Sequence, residues 1–217
     1  EPEKVLLTGT PVREEFLFAK RQEARQALGL GEEPLVVSCW GSLGAREMNK
    51  KIAQFMKCEC EENTPFHHIH ATGSFGWRWM PEYVKELGVD LAAHPRIDMR
   101  EYIYDMPQVL AAADLIVCRA GAATIAEVCA SGTPCIMVPS PNVTGNHQEK
   151  NARVLERSGA AAVVREADCD GKSLYETAKA ILSDAGRMRA MRASARDMAV
   201  VDAAERIYQT ALDLAKH

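Results

Sequence analysis

The sequence predicts an α/β fold, a doubly wound parallel sheet covered by helices on both faces, and three observations predict it. Short β-branched runs recur along the chain. Stretches of helical spacing lie between them, the alternation that βαβ units produce. The joints carry matching local chemistry: Ser131 is followed by Gly132 and then Pro134, a glycine stop with a proline beyond it.

Taken in order, the first strand is Leu35–Cys39 and the first helix runs from about Ala45 to Lys57. His67–Ala71 reads as the second strand and Met80–Leu87 as the next helix, with a poor strand near Leu91–His94. Helix is expected over Pro107–Ala113, strand over Leu115–Cys118, helix over Ala122–Ser131 and strand over Cys135–Val138. Asn146 stands three positions before Glu149, a start like a capping box for a helix over Gln148–Ser158. A weaker strand, Ala161–Val164, precedes a tail that reads as helix from about Ser173, broken near Ser183–Gly186 and Val200–Asp202.

Composition bounds the function. The chain has 217 residues, 47% hydrophobic and 26% charged, with a formal net charge of −4. That apolar content excludes a disordered chain, and no window approaches the run of about 18 apolar residues that spans a bilayer. A mildly acidic chain is a poor binder of nucleic acid duplexes, so anion binding must be local, through backbone dipoles and a few arginines. Seven cysteines, with Cys39, Cys118 and Cys135 inside apolar runs, read as buried thiols rather than a disulfide framework.

Ligands of an open parallel sheet bind beyond the carboxyl ends of its strands, near the switch in strand order. The loops Trp40–Ala45 and Arg119–Thr124 therefore matter, together with the longer loop Ser140–Gln148. The first two are rich in small residues and enter helices directly, a pair suited to a diphosphate. Tight strand-to-helix packing without a ligand is the alternative. Neither G-x-G-x-x-G nor G-x-x-x-x-G-K-[ST] occurs, which argues against a dinucleotide dehydrogenase and a P-loop enzyme.

Glu127 lies on the polar face of its helix with Thr124, one turn beyond the loop, where a carboxylate accepts two hydrogen bonds from a ribose diol. It reads equally as an exposed Glu favoured by the helix dipole. Gln148 and Asn151 share a helix face, and carboxamides suit sugar hydroxyls, although polar residues at a helix start are commonplace. Arg13 and Arg119 have the fork for phosphate oxygens or are solvated surface residues. Cys58-x-Cys60 with His67, His68 and His70 matches no common zinc spacing, so no metal site is expected. The basic run Arg187, Arg189, Arg192 and Arg196 reads as a solvated helix face.

These residues also carry a resemblance. Thr8–Arg13, Gly41–Ala45, Tyr102–Met106, Cys118–Glu127 and His147–Ala152, in this order, resemble the C-terminal half of the MurG family. These are bacterial N-acetylglucosaminyltransferases of glycosyltransferase family 28, which act on undecaprenyl-pyrophosphoryl-muramoyl-pentapeptide. The resemblance implies a Rossmann-like domain, half of a GT-B enzyme, that holds the donor UDP-GlcNAc without a cofactor or metal. It gives Ile103 a backbone contact with uracil and Glu127 the ribose hydroxyls. Arg13, Ser42 and the loop Arg119, Gly121, Ala122, Ala123 and Thr124 surround the diphosphate and sugar; Gln148 and Asn151 contact GlcNAc, and Met106 lines the pocket. Trp40 and Leu43 depart from the family's usual Gly and Gln, as Thr10 and His147 do from Asn and Gln.

The same resemblance divides the chain. Residues 1–14 are expected to be an interdomain strand or linker remnant, and 15–199 the nucleotide-sugar domain. Residues 200–217 form a helix packing back toward an N-terminal domain absent from this chain. That domain is expected to supply the general base, the undecaprenyl-linked acceptor site and contact with an anionic membrane surface at its cytoplasmic face. The rivals are another UDP-sugar enzyme of this fold, such as a 2-epimerase or diacylglycerol glycosyltransferase, and a donor-binding subunit that recruits a separate membrane partner.

Overall fold

In the computed structural model, which describes residues 5–216, six parallel strands form one sheet in the order β3-β2-β1-β4-β5-β6. They are β1 (Leu35–Cys39), β2 (His67–Ala71), β3 (Ile97–Arg100), β4 (Leu115–Cys118), β5 (Cys135–Met137) and β6 (Ala161–Val163). The helices are α1 (Glu14–Phe18), α2 (Arg21–Ala27), α3 (Arg46–Glu62), α4 (Met80–Glu86), α5 (Met106–Ala112), α6 (Ala122–Ser131), α7 (His147–Ser158), α8 (Gly171–Leu182), α9 (Ala185–Asp197) and α10 (Ala203–Ala215).

Strand alternation divides the apolar residues between two cores. Leu35, Val37, Ile116, Cys118 and Met137 face a layer that includes Val109 of α5, Val128 of α6 and Leu155 of α7. Val36, Trp40, Val117 and Ile136 face Met48 and Ile52 of α3, Val84 of α4 and Leu174 of α8. Each large aliphatic side chain buried this way contributes about 1.5–3 kcal/mol. Tyr175 ties α8 to α3: its ring meets Phe55 edge-on at 5.3 Å and its hydroxyl donates to Glu62 at 2.9 Å.

The strand order places the functional crevice. From β1 the chain builds outward through β2 to β3, then returns to lay β4 on the other side of β1. The loops leaving β1 and β4 diverge at that reversal, to opposite faces of the sheet, and open a cleft between them.

Three expectations need correcting. The edge strand is Ile97–Arg100 rather than Leu91–His94, because Asp90 turns the earlier segment by accepting from the Ala92 amide at 3.0 Å. Asn146 does not cap α7; it adopts a left-handed conformation and its amide donates to the Glu149 carboxylate at 2.8 Å. The basic run of α9 is not wholly solvated. Arg192 donates to the carbonyl of Ala113 at 3.3 Å and stands 3.7 Å from Asp114.

The short helices α1 and α2 are additions to the expected elements. Their buried anchors are Phe16 and Ala24, too few to make a periodic stripe. The described residues 5–13 carry no regular secondary structure. Gly132 ends α6 in the left-handed conformation, as its position after Ser131 predicts.

Candidate functional site

The first wall of the cleft is the loop after β1. Gly41 and Gly44 both take positive φ, 82° and 78°, and the Gly44 amide donates to the Gly41 carbonyl at 3.1 Å. A Cβ on Gly44 would lie 2.0 Å from the Thr72 carbonyl oxygen. Only glycine permits this backbone-on-backbone contact between the loops after β1 and β2.

The opposing wall is the loop after β4 with the start of α6. Gly121 is extended at the N-cap position, and no side chain caps the helix. The first N–H groups of this ten-residue helix are therefore without intrahelical partners, and no acidic residue occupies its first turn. Such an end favours an anion by about 0.3–1 kcal/mol, up to about 2 when partly buried.

A cavity of about 470 Å³ lies between these walls. Its lining brings together Ser42, Arg119, Thr124 and Glu127, with Arg13, Ile103 and Met106 from the neighbouring segments. Glu127 is half-buried, and burial raises its carboxyl above the ordinary range while the nearby charge of Arg13 pulls it back. Ile103 is buried, its carbonyl opens the turn that leads into α5, and among the described residues nothing is hydrogen-bonded to its backbone N–H. The Ile103 amide and the Glu127 carboxylate thus set a free hydrogen-bond donor and a charged acceptor at one cavity.

Other predicted residues stand apart from the cavity. Gly121 and Ala123 belong to the loop and first turn without lining it. Ala122 and Asn151 line a separate apolar hollow of about 250 Å³ with Val154 and Val200. The Asn151 amide donates to the Ala120 carbonyl at 3.2 Å. Gln148 accepts from the Ser140 amide at 2.9 Å. Each carboxamide thus steadies a loop through one end.

The cavity floor holds residues that motif reading overlooks. Cys39 and Cys118 are register partners on β1 and β4, and both face the cleft. Burial and the neighbouring Glu127 charge push the Cys39 thiol up to about 12, so it is a neutral packing group rather than a nucleophile. Strand alternation alone could have placed them there. The aromatic rim, Tyr102 and Tyr104, meets edge-on at 5.0 Å.

The histidines of β2 serve a different purpose. His68 Nε2 and His70 Nδ1 each lie 2.7 Å from Ser38 Oγ, and His68 Nδ1 lies 2.9 Å from Glu59. Among the described residues no group of three His, Cys, Asp or Glu is placed to hold a metal ion.

Comparison with known proteins bears on the family and the fold. The profile described as glycosyltransferase family 28 C-terminal domain matches residues 35–207. A UDP-N-acetylglucosamine--N-acetylmuramyl-(pentapeptide) pyrophosphoryl-undecaprenol N-acetylglucosamine transferase of Acetivibrio thermocellus is 40% identical over 215 residues, 99% of this chain and 57% of that protein. A protein of the same description from Caldanaerobacter subterraneus subsp. tengcongensis is 42% identical over 95% of this chain and 56% of its own length.

The crystal structure of Acinetobacter baumannii MurG superposes with a TM-score of 0.72 at 25% identity, covering 93% of this chain and 56% of that one. WaaG, a glycosyltransferase of lipopolysaccharide biosynthesis, shares the fold at a TM-score of 0.66 and 18% identity, over 95% of this chain and 56% of its own. The chain thus spans little more than half the length of the relatives it matches. It belongs to glycosyltransferase family 28, whose C-terminal domain it carries.

Proposed function

We propose that this chain binds UDP-GlcNAc as the donor half of a transferase that moves GlcNAc to lipid-linked muramoyl-pentapeptide in peptidoglycan synthesis. The observation that carries the reading is the meeting of Glu127, the uncapped start of α6 and the unpaired Ile103 amide in one cavity. Uracil sits against Ile103, the ribose diol donates to Glu127, and the diphosphate faces the start of α6 with Ser42, Thr124 and Arg119. Arg13 and Met106 complete the nucleotide pocket, and Gln148 and Asn151 present their unpaired amide ends to the sugar.

The reaction is an inverting displacement. The acceptor hydroxyl oxygen forms a bond to the anomeric carbon as the bond to the UDP oxygen breaks. The hydroxyl proton goes to a base supplied by the remainder of the longer protein. Charge gathering on UDP is stabilised by amide dipoles and arginine. No helix among the described residues is long and apolar enough to cross a membrane. Contact with the cytoplasmic face of the membrane and with the undecaprenyl chain falls to that same remainder.

Helix α10 fits the division. Among its described residues only Ala203 is buried, while Ile207, Tyr208 and Leu212 form an exposed apolar stripe at helical spacing. This stripe packs against the other half of the protein.

Calorimetric titration with UDP-GlcNAc, UDP-glucose, UDP and NAD tests the donor site. UDP-GlcNAc binds best and NAD does not compete. Glu127→Ala costs about 1.5–3 kcal/mol, the worth of hydrogen bonds to a charged group. Unchanged affinity in that variant removes Glu127 from the site.

A further inference from the structure

Arg119 is held on three sides. Its Nη1 donates to the Val138 carbonyl at 3.1 Å and stands 2.6 Å from Glu166 Oε2. Its guanidinium carbon lies 5.6 Å from the centre of the Trp40 ring. The side chains of Arg119 and Glu166 are only 15% and 18% exposed, and Trp40 is 5% exposed.

The three contacts come from separate elements: the end of β1, the end of β5, and the 3-10 turn Glu166–Asp168 after β6. That turn is itself anchored, since Lys51 of α3 donates to the Glu166 carbonyl. Both polar contacts use Nη1. Among the described residues Nε and Nη2 have no partner, and this free edge belongs to a side chain that lines the cleft beside Thr124.

An unrestrained arginine carries rotamer entropy that binding an anion would have to remove. Here that freedom is already lost, so the guanidinium edge is preorganised. A carboxylate beside an anion site is electrostatically unfavourable, so any benefit from Glu166 must come through orientation. Trp40 supplies a flat platform that a small residue would not, and it fixes the plane of the fork.

We propose that Glu166, together with Trp40, is a positioning residue for the diphosphate of the bound nucleotide, holding Arg119 by one nitrogen and presenting its remaining edge to the anion. This rests on the donor-site reading above and adds two residues to it. Glu166 is remote in sequence from every nucleotide motif, and Trp40 comes just before the first glycine-rich loop.

The test compares Glu166→Ala with Glu166→Gln for binding of UDP and of uridine, alongside thermal unfolding. Positioning predicts that the Ala variant binds UDP five- to tenfold more weakly. The Gln variant, which keeps an oxygen beside Nη1, stays within twofold of the parent. Uridine affinity and the unfolding midpoint hold in both. Trp40→Phe keeps UDP affinity, whereas Trp40→Leu loses about threefold.

If both Glu166 variants bind UDP more tightly, Glu166 is a competitor for Arg119 and the proposal fails. Equal losses for UDP and uridine, or a lowered midpoint that accounts for the loss, assign Glu166 to general packing and also overturn it. Absence of UDP binding by the parent chain would instead refute the donor site itself, so the two failures are distinct.

Discussion

Gly44 and Gly73 meet backbone to backbone at the head of the cleft: a Cβ on Gly73 would lie 2.1 Å from the Gly44 nitrogen. Both residues are left-handed, and the contact is reinforced where the Ser74 amide donates to the Ser42 carbonyl at 3.0 Å. Gly88 provides a contrast, since it has a φ of 81° with nothing near its missing Cβ.

Gly88→Ala should therefore cost only the left-handed penalty of about 1–2 kcal/mol. Gly44→Ala should cost clearly more, because the added methyl group must also push the loops after β1 and β2 away from each other. Denaturant unfolding of both variants checks this, and equal losses would mean that the loops separate freely. UDP affinity should fall in Gly44→Ala and hold in Gly88→Ala.

Glu127 gives the proposed site a pH dependence with a definite sign. Burial raises its carboxyl above the ordinary value of 4.5, and Arg13 opposes that rise. Protonation removes the charged acceptor, so UDP affinity should fall on acidification through the raised value. In Glu127→Gln the dependence disappears. Arg13→Ala should move the acid limb to higher pH, because the cation that favours the charged form is gone. Calorimetry across the pH range reads both effects.

Asp114 joins three elements far apart in sequence. It accepts from Arg21 at 2.6 Å and Arg25 at 3.2 Å, both on α2, and from the Leu35 amide at 2.9 Å; Arg192 of α9 stands nearby. Asp114→Ala leaves these donors without their shared acceptor and should cost about 1.5–3 kcal/mol, seen as a lower unfolding midpoint. Lys20→Ala, which breaks an exposed pair with Glu23, should change the midpoint little.

How far the sequence reveals this molecule depends on the reach of each signal. Strands β1, β2 and β4 match their expected bounds because their apolar runs end where the loop chemistry begins. Helix α6 does the same, between Gly121 and Gly132. The cleft is legible because small residues after two adjacent strands report close backbone approach in a local window. What stays hidden is long-range. Glu166 is 47 positions from Arg119 by residue number, and no periodicity links them. Likewise, Arg192 looks solvated on its own helix and is drawn inward only by Asp114. The position of β3 escapes the apolar pattern because Asp90 makes a turn in which its side chain substitutes for backbone.

The buried relay Glu59–His68–Ser38–His70 offers a stability test away from the cleft. Ser38 Oγ touches both rings, all four residues are buried, and His70 Nε2 has no partner. His70 Nδ1 lies 3.2 Å from the Ser38 carbonyl, which a proton on that nitrogen would satisfy. Burial first, and the His68 ring second, hold His70 well below the ordinary 6.5. The unfolded chain therefore takes up a proton near 6.5 that the folded chain refuses. The histidine's contribution to stability therefore falls as pH drops below that value, by up to about 1.4 kcal/mol per unit. Glu59 acts in the opposite sense, because burial raises its carboxyl and folding then favours its protonated form as acid is added. The difference between the parent and His70→Phe isolates the histidine. The variant should lose the downward slope below pH 6.5 while keeping the Glu59 contribution, and parallel stability curves would show that His70 charges in the folded state. Ser38→Ala leaves ring nitrogens on both histidines without the hydroxyl they share and should cost about 1–3 kcal/mol at neutral pH. Its UDP affinity should match that of the parent, since the relay lies on the α3 side of the sheet and outside the cleft lining.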